Sequence, residues 1–96
     1  MAEVQRNLVN AGENTQRFIS FLIRQSQQAA LCLGQIPHPQ SGQKETHPEI
    51  AKLFIEDLEM IREKTRGNLS TEETKILEDI LANLQSEYVK VAAAAN

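Results

Sequence analysis

The turn that decides the fold reads Lys64-Thr65-Arg66-Gly67-Asn68-Leu69-Ser70-Thr71-Glu72-Glu73. Gly67 can adopt the left-handed backbone conformation that ends many helices. Ser70 and Glu73 have the spacing of a capping box, in which each side chain accepts a hydrogen bond from the other residue's backbone N–H at the start of a helix. Only Gly67-Asn68-Leu69 separates the two signals. So short a connection predicts an antiparallel helical hairpin.

Apolar periodicity on both sides of this turn predicts the two helices of the hairpin, at about residues 48–66 and 71–91. Before the turn, apolar residues repeat at intervals of three and four; they are Ala51, Phe54, Leu58 and Ile61, with Ile50, Leu53 and Ile55 on the flanks. After the turn, a second stripe consists of Leu77, Ile80, Leu81, Leu84, Tyr88 and Val91. Each stripe gives its helix one face to bury against the rest of the chain.

The segment at residues 34–47 is rich in proline and glycine and predicts the one long loop. A first helix precedes it at about residues 15–33, with Asn14 as its N-cap and Gly34 in the left-handed position after its last turn. After the loop, Thr46 and Glu49 have the spacing of a capping box. The sequence therefore predicts an all-α protein of three helices in a single domain, 1–96, with residues 1–13 and 92–96 frayed or disordered.

The first helix carries more apolar surface than one packing contact needs. At about 100° per residue, its apolar side chains cover an arc of roughly 200°, and one contact needs about half of that. Because the two helices of a hairpin cannot cover both flanks of such a helix, we expect the chain to pack as a helical homodimer. The candidate self-association surface consists of Phe18, Ile19, Phe21, Leu22, Ile23, Ala30 and Leu33.

From Phe18 to Val91 the pattern of residues resembles a family of small helical bacterial proteins that is catalogued as a domain of unknown function. The residues that carry the resemblance are Gly42-Gln43, Leu58-Glu59-Met60, Lys64-Thr65-Arg66-Gly67-Asn68-Leu69, Glu72-Glu73, Leu81, Leu84 and Tyr88-Val89. The chain differs at Ala82 and Gln85, where members often have Tyr and Arg. The resemblance implies a small helical bacterial protein without an assigned activity, and it brings no catalytic or binding residue with it.

Charge and composition exclude several kinds of partner. The chain has 13 acidic and 10 basic residues, a net charge of -3, which lacks the basic footprint of a nucleic-acid-binding protein. Its most apolar stretch is interrupted by Arg24-Gln25-Ser26-Gln27-Gln28, so we expect no membrane-spanning segment. A single cysteine, Cys32, excludes an internal disulfide and predicts a cytoplasmic protein.

Metal-ligand residue types cluster once, at Cys32, His38, Glu45 and His47. Their spacing fits no short-range zinc pattern, and a thiol in an apolar stretch with histidines in a solvated loop accounts for them more simply. Acidic residues that are adjacent on a helix point about 100° apart, so the chain's acidic pairs do not converge on a reacting group. We therefore expect no catalytic, metal or cofactor-binding residues and no cofactor.

These observations favour a binding function over catalysis. We expect a small non-catalytic protein–protein interaction or assembly module that acts as a homodimer, and another protein as a further partner. The alternative that the residues leave open is a regulatory protein that binds a ligand or a metal through the loop at residues 34–47.

Overall fold

The computed structural model describes the backbone of residues 2–95 and the side chains of residues 12–94. Over that part of the chain there are three helices, α1 (Ala2–Cys32), α2 (Pro48–Lys64) and α3 (Thr71–Ala95), and all three pairs of helices are in contact. The predicted all-α architecture is confirmed. Homodimer packing stays a prediction, because the structure contains one chain.

Helix α1 begins far earlier than the predicted start near residue 15. Asn14, the predicted N-cap, lies inside the helix. A capping residue acts only where the backbone before it leaves the helical conformation, and the residues before Asn14 are mostly good helix formers. Helix α3 continues to Ala95 because alanine has the highest helix propensity. Fraying of residues 1–13 and 92–96 stays a prediction, and Met1 and Asn96 lie outside the described backbone.

The end of α1 has the predicted left-handed glycine. Gly34 has a φ of 73°. Its N–H donates to the carbonyl oxygen of Leu31 at 3.1 Å, and the N–H of Gln35 donates to that of Ala30 at 3.0 Å. This pair of hydrogen bonds is a Schellman motif, which satisfies carbonyl groups that the last turn of a helix leaves without partners.

The predicted capping box at the start of α2 is wrong. His47 occupies the N-cap position, and its side chain makes no capping hydrogen bond. Thr46 instead pairs with Leu33 in an isolated antiparallel bridge, and the His47 N–H donates to the carbonyl oxygen of Cys32 at 2.6 Å. The backbone around Thr46 is therefore engaged with the end of α1. This pairing closes the loop and places the end of α1 beside the start of α2.

The hairpin turn follows the prediction closely. Helix α2 ends at Lys64, and Gly67 has a φ of 80°. The Ser70 N–H donates to Glu73 Oε1 at 2.7 Å, and the Glu73 N–H donates to Ser70 Oγ at 3.1 Å, so this capping box is confirmed.

The two helices of the hairpin are antiparallel and in register. Arg62 Nη1 of α2 lies 3.4 Å from Glu78 Oε2 of α3. Earlier in α2, Glu59 Oε2 accepts a hydrogen bond of 2.7 Å from Gln85, which lies later in α3.

The core lies where the three helices meet. Its buried apolar residues are Leu22, Ala29 and Leu33 of the α1 end, Ala51, Ile55 and Leu58 of α2, and Leu77, Leu81 and Leu84 of α3. Each helix contributes residues at intervals of three, four or seven, which is the spacing of one helical face. A three-helix bundle of this kind leaves the outer surfaces of its helices for other contacts.

Candidate functional site

The structure divides the candidate self-association surface of α1. Leu22 and Leu33 are buried in the chain's own core, so they are not available to a partner. Phe18 and Phe21 are half-buried and pack against that core. Of the seven residues, Ile23 has the most exposed side chain, at 45%. The hairpin therefore covers more of α1 than its apolar arc predicts.

A larger exposed apolar surface lies on α2. Ile50, Leu53 and Met60 are 47%, 60% and 48% exposed, and they lie within about 80° of one another around the helix. Leu53 and Met60 point about 150° away from the fully buried Leu58. The periodicity of α2 placed Ile50 and Leu53 on the flanks of the buried stripe. Helical angles measured from Leu58 are the signal that would have placed Leu53 on the surface.

Half-buried apolar residues connect this surface to α1. Phe54 and Ile61 pack against the core, and they lie on average about 120° around α2 from Glu59 and Arg62, which contact α3. They therefore lie on the side of α2 that faces α1.

On α1, Phe21 lies within about 20° of Cys32, which lines a cavity together with His47 at the start of α2. The side of α1 that carries Phe21 therefore borders α2. We call the resulting surface the α1–α2 face, and its residues are Phe21, Ile50, Leu53, Phe54, Met60 and Ile61.

A second feature is a cavity at the closed end of the loop. Cys32, His38, Glu45 and His47 line it together with Gln28 and Leu31, and its volume is about 360 Å³. The fold thus places four residues of metal-ligand type, which span sixteen positions in the sequence, around one cavity.

The chemistry of this loop cavity differs from that of a metal site. Among the described side chains, no three of His, Cys, Asp or Glu are placed so that they hold one metal ion. Burial raises the pKa of the Cys32 thiol, which favours the protonated form over the thiolate that binds metals. His38 Nδ1 accepts a hydrogen bond from the Gln40 N–H at 3.2 Å, so this nitrogen is part of the turn of the loop. The described side chains around the cavity therefore do not form a preassembled metal centre.

A third feature is a cavity of about 260 Å³ beside the hairpin turn, with Arg62 and Arg66 in its wall. Both arginines already have carboxylate partners, since Arg62 pairs with Glu78 at 3.4 Å and Arg66 pairs with Glu63 at 2.6 Å. The hydrogen bond and the charge of Arg66 lower the pKa of the Glu63 carboxyl. An anion in the cavity would have to compete with these carboxylates for the arginines.

Taken together, these features define a small three-helix protein with an exposed apolar face formed by two of its helices. Among the described residues, no helix has both the length and the hydropathy that crossing a membrane requires. The chain belongs to the family described as "Domain of unknown function (DUF1844)", whose model matches residues 15–90. The predicted membership in an uncharacterised family is confirmed. No curated protein and no solved structure matches the chain.

Proposed function

We propose that this chain is a non-catalytic protein–protein interaction or assembly module that acts as a homodimer. The observation that carries the proposal is the α1–α2 face, where large apolar side chains of α2 remain 47–60% exposed. Single exposed apolar residues are common on protein surfaces, whereas a contiguous apolar patch marks an interaction site. Ile50, Leu53 and Met60 lie within about 80° of one another around α2, and the half-buried Phe54 and Phe21 pack against the core on the side where α2 meets α1.

The total surface of the chain supports association. The chain exposes 6887 Å², and a compact monomer of 10.8 kDa exposes about 5,500 Å². The excess surface of about 1,400 Å² is larger than the roughly 800 Å² that each partner buries in an interface of standard size. A dimer contact of standard size would therefore remove somewhat more than half of this excess from each chain.

The proposal is tested by thermal unfolding at a series of protein concentrations, followed by far-UV circular dichroism. A dimer that dissociates on unfolding is stabilised by mass action, so the midpoint rises with concentration. We expect a rise of several degrees between about 1 and 100 μM, since a hundredfold change contributes about 2.7 kcal/mol. A midpoint that is independent of concentration over this range would contradict the homodimer.

The loop cavity favours a second candidate function, a regulatory protein that binds a ligand or a metal through residues 34–47. Its supporting observation is that Cys32, His38, Glu45 and His47 line one cavity. Metal analysis of the purified protein tests the metal form of this function. Stoichiometric zinc that is lost in a His38→Ala, His47→Ala double variant supports it, and zinc-free protein after purification in zinc-containing buffer contradicts it.

A further inference from the structure

The three sides of the bundle differ in how apolar they are. Between α2 and α3 the surface groove is lined by Ile55, Tyr88 and Val89 together with Lys52, Glu56 and Glu59, and Val89 is the one large apolar side chain that is strongly exposed there among the described residues. The side between α1 and α3 exposes Ile23, and Ile36 of the loop lies in its groove. The α1–α2 face exposes three large apolar side chains on one helix, with three more half-buried beside them. It is therefore the side from which dimerisation removes the most apolar surface.

Two charged side chains on the helices of this face lie at almost the same distance, measured along the helices, from the end where α1 meets α2. The hydrogen bond between His47 and Cys32 fixes the closed end of the helix pair. Arg24 is eight residues before Cys32 and Asp57 is ten residues after His47. At 1.5 Å per residue they lie about 12 and 15 Å from that end. Both side chains are exposed, and no ion pair among the described side chains includes either of them.

The position of Asp57 distinguishes two ways of placing two copies face to face. If α2 of one protomer packs antiparallel on α2 of its partner, the patch from Leu53 to Met60 is centred on Asp57, and the two Asp57 carboxylates meet. Like charges that face each other across an interface disfavour it. If the two-fold axis instead runs parallel to the helices, α1 of one protomer lies on α2 of its partner. Each residue then keeps its position along the axis, so residues at the same distance from the closed end face each other. Arg24 then faces Asp57 of the partner, and symmetry makes this pair twice.

The same arrangement matches apolar groups. Phe21 lies about 16 Å from the closed end and Met60 about 20 Å, so the ring of one protomer meets the thioether of the other, a favourable contact. Arg17 and Lys64 are also roughly level, at about 22 and 26 Å, so the same arrangement brings two basic side chains towards each other, which is a cost of this arrangement. Both are exposed at the far end of the face, where long basic side chains can extend into solvent.

We infer that the α1–α2 face is the dimer interface, that its occupant is a second copy of this chain, and that α1 of each protomer lies against α2 of its partner with Arg24 paired to Asp57. The inference rests on the proposed homodimer and names the surface and the arrangement that form it. The two protomers have the same sequence. Each therefore presents Arg24 on α1 to the Asp57 that its partner carries on α2.

The first test compares two single charges by a dilution series in the analytical ultracentrifuge. Leu53→Glu puts a carboxylate in the middle of the face, and Leu53 is exposed enough for the monomer to fold with it. Val89→Glu is the matched control, because Val89 is 64% exposed in the groove between α2 and α3. We expect the dissociation constant to rise by about 30-fold or more in Leu53→Glu and to stay within about threefold in Val89→Glu. Equal constants for the two variants would overturn the assignment of the face.

The second test addresses the arrangement through a charge exchange. Asp57→Arg and Arg24→Asp should each weaken the dimer by about tenfold, because each leaves two like charges facing each other. The double variant restores the pair with opposite polarity, so its dissociation constant should return to within about threefold of the wild type. A double variant that is as weak as the single variants would overturn the pairing of α1 with α2. Circular dichroism of each variant confirms that the helices have formed.

The outcomes separate this inference from the function on which it rests. A wild-type chain that stays monomeric at tens of micromolar contradicts both the homodimer and the assignment of a second copy to this face. A wild-type dimer that is unaffected by Leu53→Glu and by Asp57→Arg leaves the homodimer intact and overturns the inference alone.

Discussion

Two leucines of the same helix provide a matched test of which side of α2 is buried. Leu58 is fully buried in the core and Leu53 is 60% exposed, although only five residues separate them. Replacing a buried leucine with alanine removes apolar contacts and leaves a cavity, which costs about 3 to 5 kcal/mol. The whole free energy of unfolding of a 96-residue chain is about 5 to 14 kcal/mol. Leu58→Ala should therefore remove a large fraction of the stability.

Leu53→Ala should change the stability of the monomer by no more than about 0.5 kcal/mol, because an exposed leucine makes few contacts in its own chain. For a domain of this size, 3 kcal/mol lowers the unfolding midpoint by at least about 12 °C. Urea unfolding at a concentration low enough to populate the monomer measures both variants, and equal m-values show that the comparison is valid. At higher protein concentration the loss of unfolding free energy in Leu53→Ala, relative to the wild type, should grow. The loss in Leu58→Ala should stay nearly constant. Equal losses for the two variants at low concentration would refute the placement of the buried face.

Three further predictions concern the capping box, the turn and the thiol. The Ser70 N–H donates to the Glu73 carboxylate and lowers the pKa of that carboxyl. The ionised carboxylate therefore stabilises the fold at every pH above the ordinary glutamate pKa of about 4.3. This stabilisation is lost as the pH falls through the lowered pKa. Glu73→Gln should thus cost about 1 kcal/mol at pH 7 in urea unfolding, and a difference from the wild type that does not shrink in acid would contradict this. Gly67→Val should destabilise the chain by about 1 to 2 kcal/mol, because Gly67 has a φ of 80°. Gly12→Ala inside α1 is the control, and it should be neutral or stabilising in the same thermal melts. A Gly67→Val variant as stable as Gly12→Ala would refute the backbone strain at Gly67. Burial raises the pKa of Cys32, so its alkylation, followed by mass spectrometry, should be slower than that of a short peptide at the same pH, and an equal rate would show an accessible thiolate.

Local signals made the hairpin predictable from the sequence. The spacing of Ser70 and Glu73 and the glycine at position 67 act within a few residues, so the sequence contains all the partners of these contacts. Gly34 is predictable for the same reason. Thr46 shows the limit of this reasoning, because a threonine two residues before Pro48 is as well suited to extended pairing with Leu33 as to capping. Which of the two forms depends on where the end of α1 lies, and that is a tertiary property.

The candidate surface was only partly predictable for a similar reason. Apolar periodicity shows that a side chain is suited to burial, and it does not show whether the burial occurs within the chain or against a partner. Leu22 and Leu53 look alike in sequence, yet one lies at the centre of the three-helix core and the other on its outside. The position of Leu53, about 140° around α2 from the buried Leu58, is the signal that distinguishes the two. The sequence placed the surplus apolar surface on α1, and in the structure its most exposed part lies on α2.

Sedimentation equilibrium of the unmodified chain tests the homodimer most directly. The full chain is measured at tens of micromolar, a range in which an apolar interface of ordinary homodimer size holds two protomers together even after the costs of association. We predict a single species with twice the 10.8 kDa mass of one chain, which dissociates on dilution. A mass of 10.8 kDa throughout this range would contradict the homodimer.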